Sequence, residues 1–150
     1  MGTIIEDVNQ AANWIAQALL SSGYNADFSP KSLWEIDRFF EDNSHDGQAV
    51  PGGLLSEDLG SLIFAIGSYL GEVIRKAKGG EWLGDDSDPK AEINVELQLL
   101  DGTRCWPTQR AMKRFKNGAE DGIAAYGHGL GLEVGPRPET PSKKPWWKVW

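Results

Sequence analysis

A single cysteine, Cys105, stands in 150 residues, so the chain can close no disulfide within itself and offers no cysteine cluster to a metal. Histidine is almost as scarce: His45 and His128 are the only two. Neither has a cysteine or a second histidine at a metal-ligand spacing, and no metal is expected. No run approaches the roughly 18 apolar residues that a membrane span needs. The start Met-Gly-Thr-Ile-Ile-Glu-Asp lacks the basic and apolar segments of a secretory leader. Gly-x-Ser-x-Gly, the Walker loop and His-Glu-x-x-His are missing too. Gly127-His128-Gly129-Leu130-Gly131 falls short of the dinucleotide spacing and follows no predicted strand. The expectation is a cytoplasmic protein without a cofactor.

Basic charge is missing from the first half. Residues 1–60 carry ten acids against Lys31 and Arg38, within a chain of net charge −7. Residues 136–150 reverse the sign, with four bases to one acid. An acidic body repels phosphate backbones and anionic lipid, which argues against a nucleic-acid partner and for a basic protein partner, or simply for solubility. With 40% hydrophobic and 25% charged residues, the composition is that of one globular domain with a real core.

Within that body the spacing predicts helices and one β-meander. Ile4, Ile5, Val8, Ala12, Ile15, Ala16 and Leu19 recur at threes and fours, predicting a helix over about 4–20. Ser29-Pro30 opens a second helix with an aromatic face of Leu33, Trp34, Ile36, Phe39 and Phe40, ending in a polar loop from Glu41 to Gly47. Ser56 with Glu57 and Asp58 is read as the cap of a long third helix. Gly60, Gly67 and Gly71 each cost that helix roughly 1 kcal/mol against Ala, so a close approach by another element is expected there. Charged neighbours, Glu72, Arg75, Lys76 and Lys78, argue against a membrane GxxxG pair and for tight packing within the chain. Strands are predicted at Glu81-Trp82-Leu83 and over Ala91 to Leu99, which alternates apolar and polar. Asp101-Gly102 turns the chain back through Thr103 to Trp106. Pro107 starts a helix to about Lys116, with Arg110, Lys113, Arg114 and Lys116 outward, and a last helix spans Glu120 to Tyr126. The fold class is α+β: N-terminal helices, one long central helix, a short antiparallel meander and two C-terminal helices. The domain is placed at 1–132, followed by a Pro/Lys/Trp-rich tail at 133–150.

Few positions suggest chemistry. Asp42-Asn43-Ser44-His45-Asp46-Gly47 looks like the start of a calcium loop, but its twelfth place is Gly53 rather than a bidentate Glu, so it reads as an acidic loop. Asp85-Asp86-Ser87-Asp88 reads as a solvated hairpin loop. Cys105, between Arg104 and Trp106, is either an activated thiol or, more commonly for cysteine, a buried structural one. The basic helix face could grip phosphate or an acidic partner, or be a solvated surface. In the tail, Trp146, Trp147 and Trp150 beside Lys143, Lys144 and Lys148 combine aromatic area with cations. That chemistry suits a protein hot spot or a weak membrane-surface contact, or the indoles fold back onto an apolar groove of the same chain.

An ordered set of motifs carries a resemblance. Gly67-Ser68-Tyr69-Leu70-Gly71-Glu72-Val73-Ile74-Arg75 is followed by Gly79-Gly80-Glu81-Trp82 and Leu100-Asp101-Gly102. Pro107, Lys113-Arg114-Phe115 and Asn117-Gly118-Ala119-Glu120-Asp121-Gly122-Ile123 complete it. Over these sixty or so residues, to Tyr126, the chain resembles a family of small bacterial domains of uncharacterised function. The resemblance implies a bacterial α+β domain and brings no catalytic residues with it.

The expectation is a non-enzymatic protein-binding module, in its most specific form a bacterial immunity protein that masks a basic toxin. Charge steering would serve such a partner. Glu35, Asp37, Glu41, Asp42 and Asp46 form the expected partner-facing set, with Trp146, Trp147 and Trp150 as further contacts. The alternatives are a scaffold protein whose Trp-rich tail docks on a membrane or partner, and an enzyme built on Cys105 or a carboxylate pair.

Overall fold

Thr3 accepts the Glu6 amide at 3.1 Å and opens α1 (Ile4–Ser21), while the Ile4 amide donates to the distant Asp86 carboxylate at 2.7 Å. The computed structural model describes residues 3–138. Helical spacing buries Ile4, Val8, Ala12, Ile15, Ala16 and Leu19, as predicted, and leaves Ile5 on the exposed flank. Ser29 caps a 3₁₀ turn at Pro30–Ser32 that runs directly into α2 (Leu33–Asn43). α2 buries Leu33, Ile36, Phe39 and Phe40 as expected, and Asp37 with them.

The predicted loop after α2 is instead a miniature hairpin. β1 (Ser44–His45) pairs antiparallel with β2 (Gln48–Ala49). Asp46 and Gly47, at φ 51° and 74°, supply the two left-handed residues of a tight turn that matches strand twist. Beyond it the Pro-Gly-Gly turn captures Ser56, whose amide and hydroxyl both donate to the Gly53 carbonyl. Ser56 is therefore not the cap that its position suggests, and the third helix, α3 (Leu59–Lys78), starts three residues later.

α3 is the axis of the molecule, with α1 and, further along the chain, α5 (Pro107–Asn117) both packed against it. Gly67 and Gly71 permit the expected close approach. A Cβ on Gly67 would stand 2.5 Å from the Thr108 Cα, and one on Gly71 would collide with the Trp82 ring. Gly60 faces open space, so the same expectation does not hold there. The neighbouring Glu72 is buried and accepts Trp82 Nε1 at 2.9 Å and Arg75 Nε at 2.6 Å. Burial pushes its carboxyl up, but the Arg75 and Trp82 hydrogen bonds outweigh that and hold it below the usual carboxylate range.

The meander is antiparallel in the order β3 (Gly80–Leu83), β4 (Glu96–Leu99), β5 (Arg104–Cys105). Its register aligns Trp82, Leu97 and Cys105, and all three are buried. The strand predicted from Ala91 begins only at Glu96, because Ala91–Asn94 is a helical turn, α4, with Ile93 exposed. Asp88 decides this locally. Its carboxylate accepts the Lys90 amide at 2.8 Å and Asn94 Nδ2 at 2.9 Å, and its carbonyl accepts the Ala91 amide. Such side-chain bonds compete directly with a strand ladder. Asp101-Gly102 turns β4 into β5 as predicted, with Gly102 at φ 91°.

After α5 the expected single helix divides at Gly122 into a 3₁₀ turn (Gly118–Asp121) and α6 (Ile123–Gly129). The chain remains on the body beyond residue 132. Leu132 and Val134 are buried, and Trp34 Nε1 donates to the Val134 carbonyl at 3.1 Å. The fold is α+β, and its buried side chains form one core that draws on every helix except the α4 turn. No described helix is long and apolar enough to cross a membrane.

Candidate functional site

The acids expected to face a partner do not form one surface. Asp37 is turned inward and only 7% exposed. Its Oδ1 accepts Arg114 Nε at 2.9 Å and the Ile123 amide at 2.8 Å, while Oδ2 accepts the Ala124 amide at 2.9 Å. One carboxylate thus neutralises a buried guanidinium and caps α6 from outside its own segment. Glu35 accepts the Asn25 amide and pairs with Arg38, which holds its carboxyl below the usual range. Glu41 pairs with Arg137 at 2.9 Å. Asp46 is exposed in its turn beside His45. The cleft between α2 and Arg137-Pro138 encloses only about 20 Å³, too little for a side chain.

Asp42 accepts the Tyr24 hydroxyl at 2.6 Å. Burial and this bond push the Tyr24 hydroxyl up to about 12. A phenol with a raised folded-state pKa stabilises the fold fully below its unfolded value, near 10, and loses that contribution as pH rises towards 12. Tyr24→Phe is therefore expected to remove part of the stability lost between pH 10 and 12, measured by urea titration at each pH. An unchanged slope there would mean that Tyr24 ionises as it does in the unfolded chain.

A second region has the shape of a binding site. Between α1 and the start of α3 lies an open groove of about 350 Å³, within the range of small-ligand sites. Buried Ile15, Leu19 and Phe39 line it, together with the half-buried Ala18 and Leu62. Trp14 and Leu54 stand at its sides, 57% and 50% exposed. Glu57 and Asp58 complete the lining, both exposed, and neither has an ion-pair partner among the described residues. Asp58 is fixed in the left-handed region at φ 55°, a conformation that aspartate tolerates better than most residues. The groove offers indole, aliphatic surface and two carboxylates without an ion-pair partner among the described residues.

Other candidates have been drawn into the fold. Cys105 is 1% exposed, and burial pushes its thiol up, the opposite of an activated thiolate. The basic face of α5 is reduced to Lys113 and Lys116. Arg114 is buried on Asp37, and Arg110 stacks on Tyr126 at 4.3 Å and pairs with Asp121. The acids after β3 are engaged within the fold: Asp85 accepts the Ser87 amide and hydroxyl locally, and Asp86 accepts the distant Ile4 amide at the start of α1. Among the described residues no group of three or more His, Cys, Asp or Glu side chains is placed to hold a metal ion. Trp146, Trp147 and Trp150 lie outside the described residues.

Comparison of the chain with models of protein families, with curated proteins and with solved structures gives no match. The geometry must therefore carry the functional argument. The position of the groove was not anticipated from the sequence, although a signal was there. Trp14, Ala18 and Ser22 follow one another at intervals of four, beside the buried stripe rather than on it. A tryptophan on the outer flank of an amphipathic helix is the trace such a groove leaves.

Proposed function

We propose that the protein is a protein-binding module whose α1–α3 groove receives an apolar side chain of a basic partner. Its most specific form is an immunity protein that masks a basic toxin. The observation that carries this reading is the exposure of Trp14 and Leu54 beside an apolar floor, with Glu57 and Asp58 at the same place and without ion-pair partners among the described residues. Tryptophan is the residue type most enriched among binding hot spots, and exposed apolar patches on monomers mark interaction sites. The exposed Asp46 adds to the negative charge of the N-terminal half, a field that speeds encounter with a cationic protein.

The test is coexpression with any basic protein encoded beside this gene, followed by affinity measurement on the copurified pair. Trp14→Ala and Leu54→Ala are each expected to weaken binding about thirtyfold, the equivalent of ~2 kcal/mol at a hot spot. Glu57→Lys should slow association and flatten its salt dependence. A partner bound equally well by all three variants sinks the reading, as does the absence of any stoichiometric partner.

A further inference from the structure

We infer that the chain's own segment from Lys143 to Trp150 docks intramolecularly in the α1–α3 groove and competes there with the external partner. The inference rests on the groove being a docking site, as proposed above. Three observations support it.

The first is chemical fit. The segment offers Trp146, Trp147, Val149 and Trp150 for an apolar floor, and Lys143, Lys144 and Lys148 for Glu57 and Asp58. Residues 139–150 carry a net charge of +2, from three lysines and Glu139, so residues 1–138 hold −9 of the total −7.

The second is reach. The described chain stops at Pro138, which lines the same cleft as Arg38. Arg38 donates to the Gly23 carbonyl at 2.8 Å, and the adjacent Ser22 lines the groove. Arg38 thus touches both the cleft that holds Pro138 and the residue next to the groove's rim. The eight Cα steps from Pro138 to Trp146 span at most about 26–29 Å.

The third is concentration. A tether this short holds the segment at an effective concentration on the order of 1 mM. Even an intrinsic Kd of about 100 µM then fills the groove about nine-tenths of the time, and lowers the apparent affinity of any competitor about tenfold.

The experiment uses the full chain and a variant with Trp146→Ala, Trp147→Ala and Trp150→Ala together, so that chain length and charge are kept. Methyl NMR follows Leu54 and Leu62, and a synthetic peptide of residues 143–150 is titrated into both proteins. The expected result is that both methyl signals move when the three indoles are removed. Those shifts should be independent of dilution, and the peptide should bind the variant about tenfold more tightly than the intact chain. Unchanged methyl signals, or equal peptide affinity for the two proteins, would falsify the inference. Shifts that fade on dilution would assign the groove to a second copy, and cosedimentation with phosphatidylserine vesicles through the indoles alone would assign the segment to a membrane; either overturns it.

Failure here is separable from failure of the binding function. Partner binding that depends on Trp14 while the indoles leave the groove untouched removes only the intramolecular inference. Docked indoles with partner binding indifferent to Trp14→Ala remove only the external one.

Discussion

Asp37→Ala is expected to lower stability by about 4 kcal/mol, a large share of the 5–15 kcal/mol that a domain of this size holds. The carboxylate serves three donors at once: the Arg114 guanidinium and the Ile123 and Ala124 amides, all buried. Removing it strands a cation that is 3% exposed, and breaking one side of a buried ion pair costs about 3–5 kcal/mol. It also leaves two amides of α6 without an acceptor, at about 1–3 kcal/mol each where water cannot reach them. These penalties overlap, because water entering for one donor helps the others. At a urea m-value of about 2 kcal/mol/M the midpoint should fall by about 2 M. Arg114→Met added to Asp37→Ala should recover the guanidinium share and leave the amide share. A single-variant loss below about 1 kcal/mol would show that water already reaches this carboxylate in solution.

The same pair shows what the sequence could and could not reveal. Leu33, Ile36, Asp37 and Phe40 stand at positions i, i+3, i+4 and i+7, and Ala111, Arg114 and Phe115 share a face of α5 in the same way. Reading by charge turned Asp37 and Arg114 outward; reading by position would have turned both inward. Opposite charges on two apolar stripes are the pattern of a buried bridge between helices. The long apolar runs were legible because hydrophobic spacing dominates them, which is why α1, α2, α5 and the β4–β5 turn lie where expected. The misplaced boundaries sit where one short polar side chain bonds to nearby backbone, as Ser56 does with Gly53 and Asp88 with Lys90. Periodicity has no term for such bonds. The groove was hidden for another reason: it is a gap between elements distant in sequence, and no window along the chain contains both of its walls.

Gly67→Ala and Gly60→Ala are expected to move stability in opposite directions, though both place the better helix former in α3. Gly60 faces open space, so Ala there should gain up to about 1 kcal/mol from propensity alone. At Gly67 the new Cβ would stand 2.5 Å from Thr108 Cα and 2.8 Å from Thr108 N. Both are backbone atoms at the first turn of α5, so no side-chain rotation relieves the contact, and the helix itself must move. Movement is resisted from the other side. α5 is held by Arg114 on Asp37, and Pro107 packs against Gly71 beside Trp82, whose indole is fixed on Glu72. Overpacking of this kind costs about 3 kcal/mol, which exceeds the propensity gain and leaves a net loss of about 2 kcal/mol. For a chain of this length about 3 °C of Tm corresponds to 1 kcal/mol. Calorimetry should therefore show Gly67→Ala roughly 6 °C below the parent and Gly60→Ala roughly 3 °C above it. If Gly67→Ala melts at or above the parent temperature, α5 is free to slide on α3, and the close approach that organises this core is looser than its geometry implies.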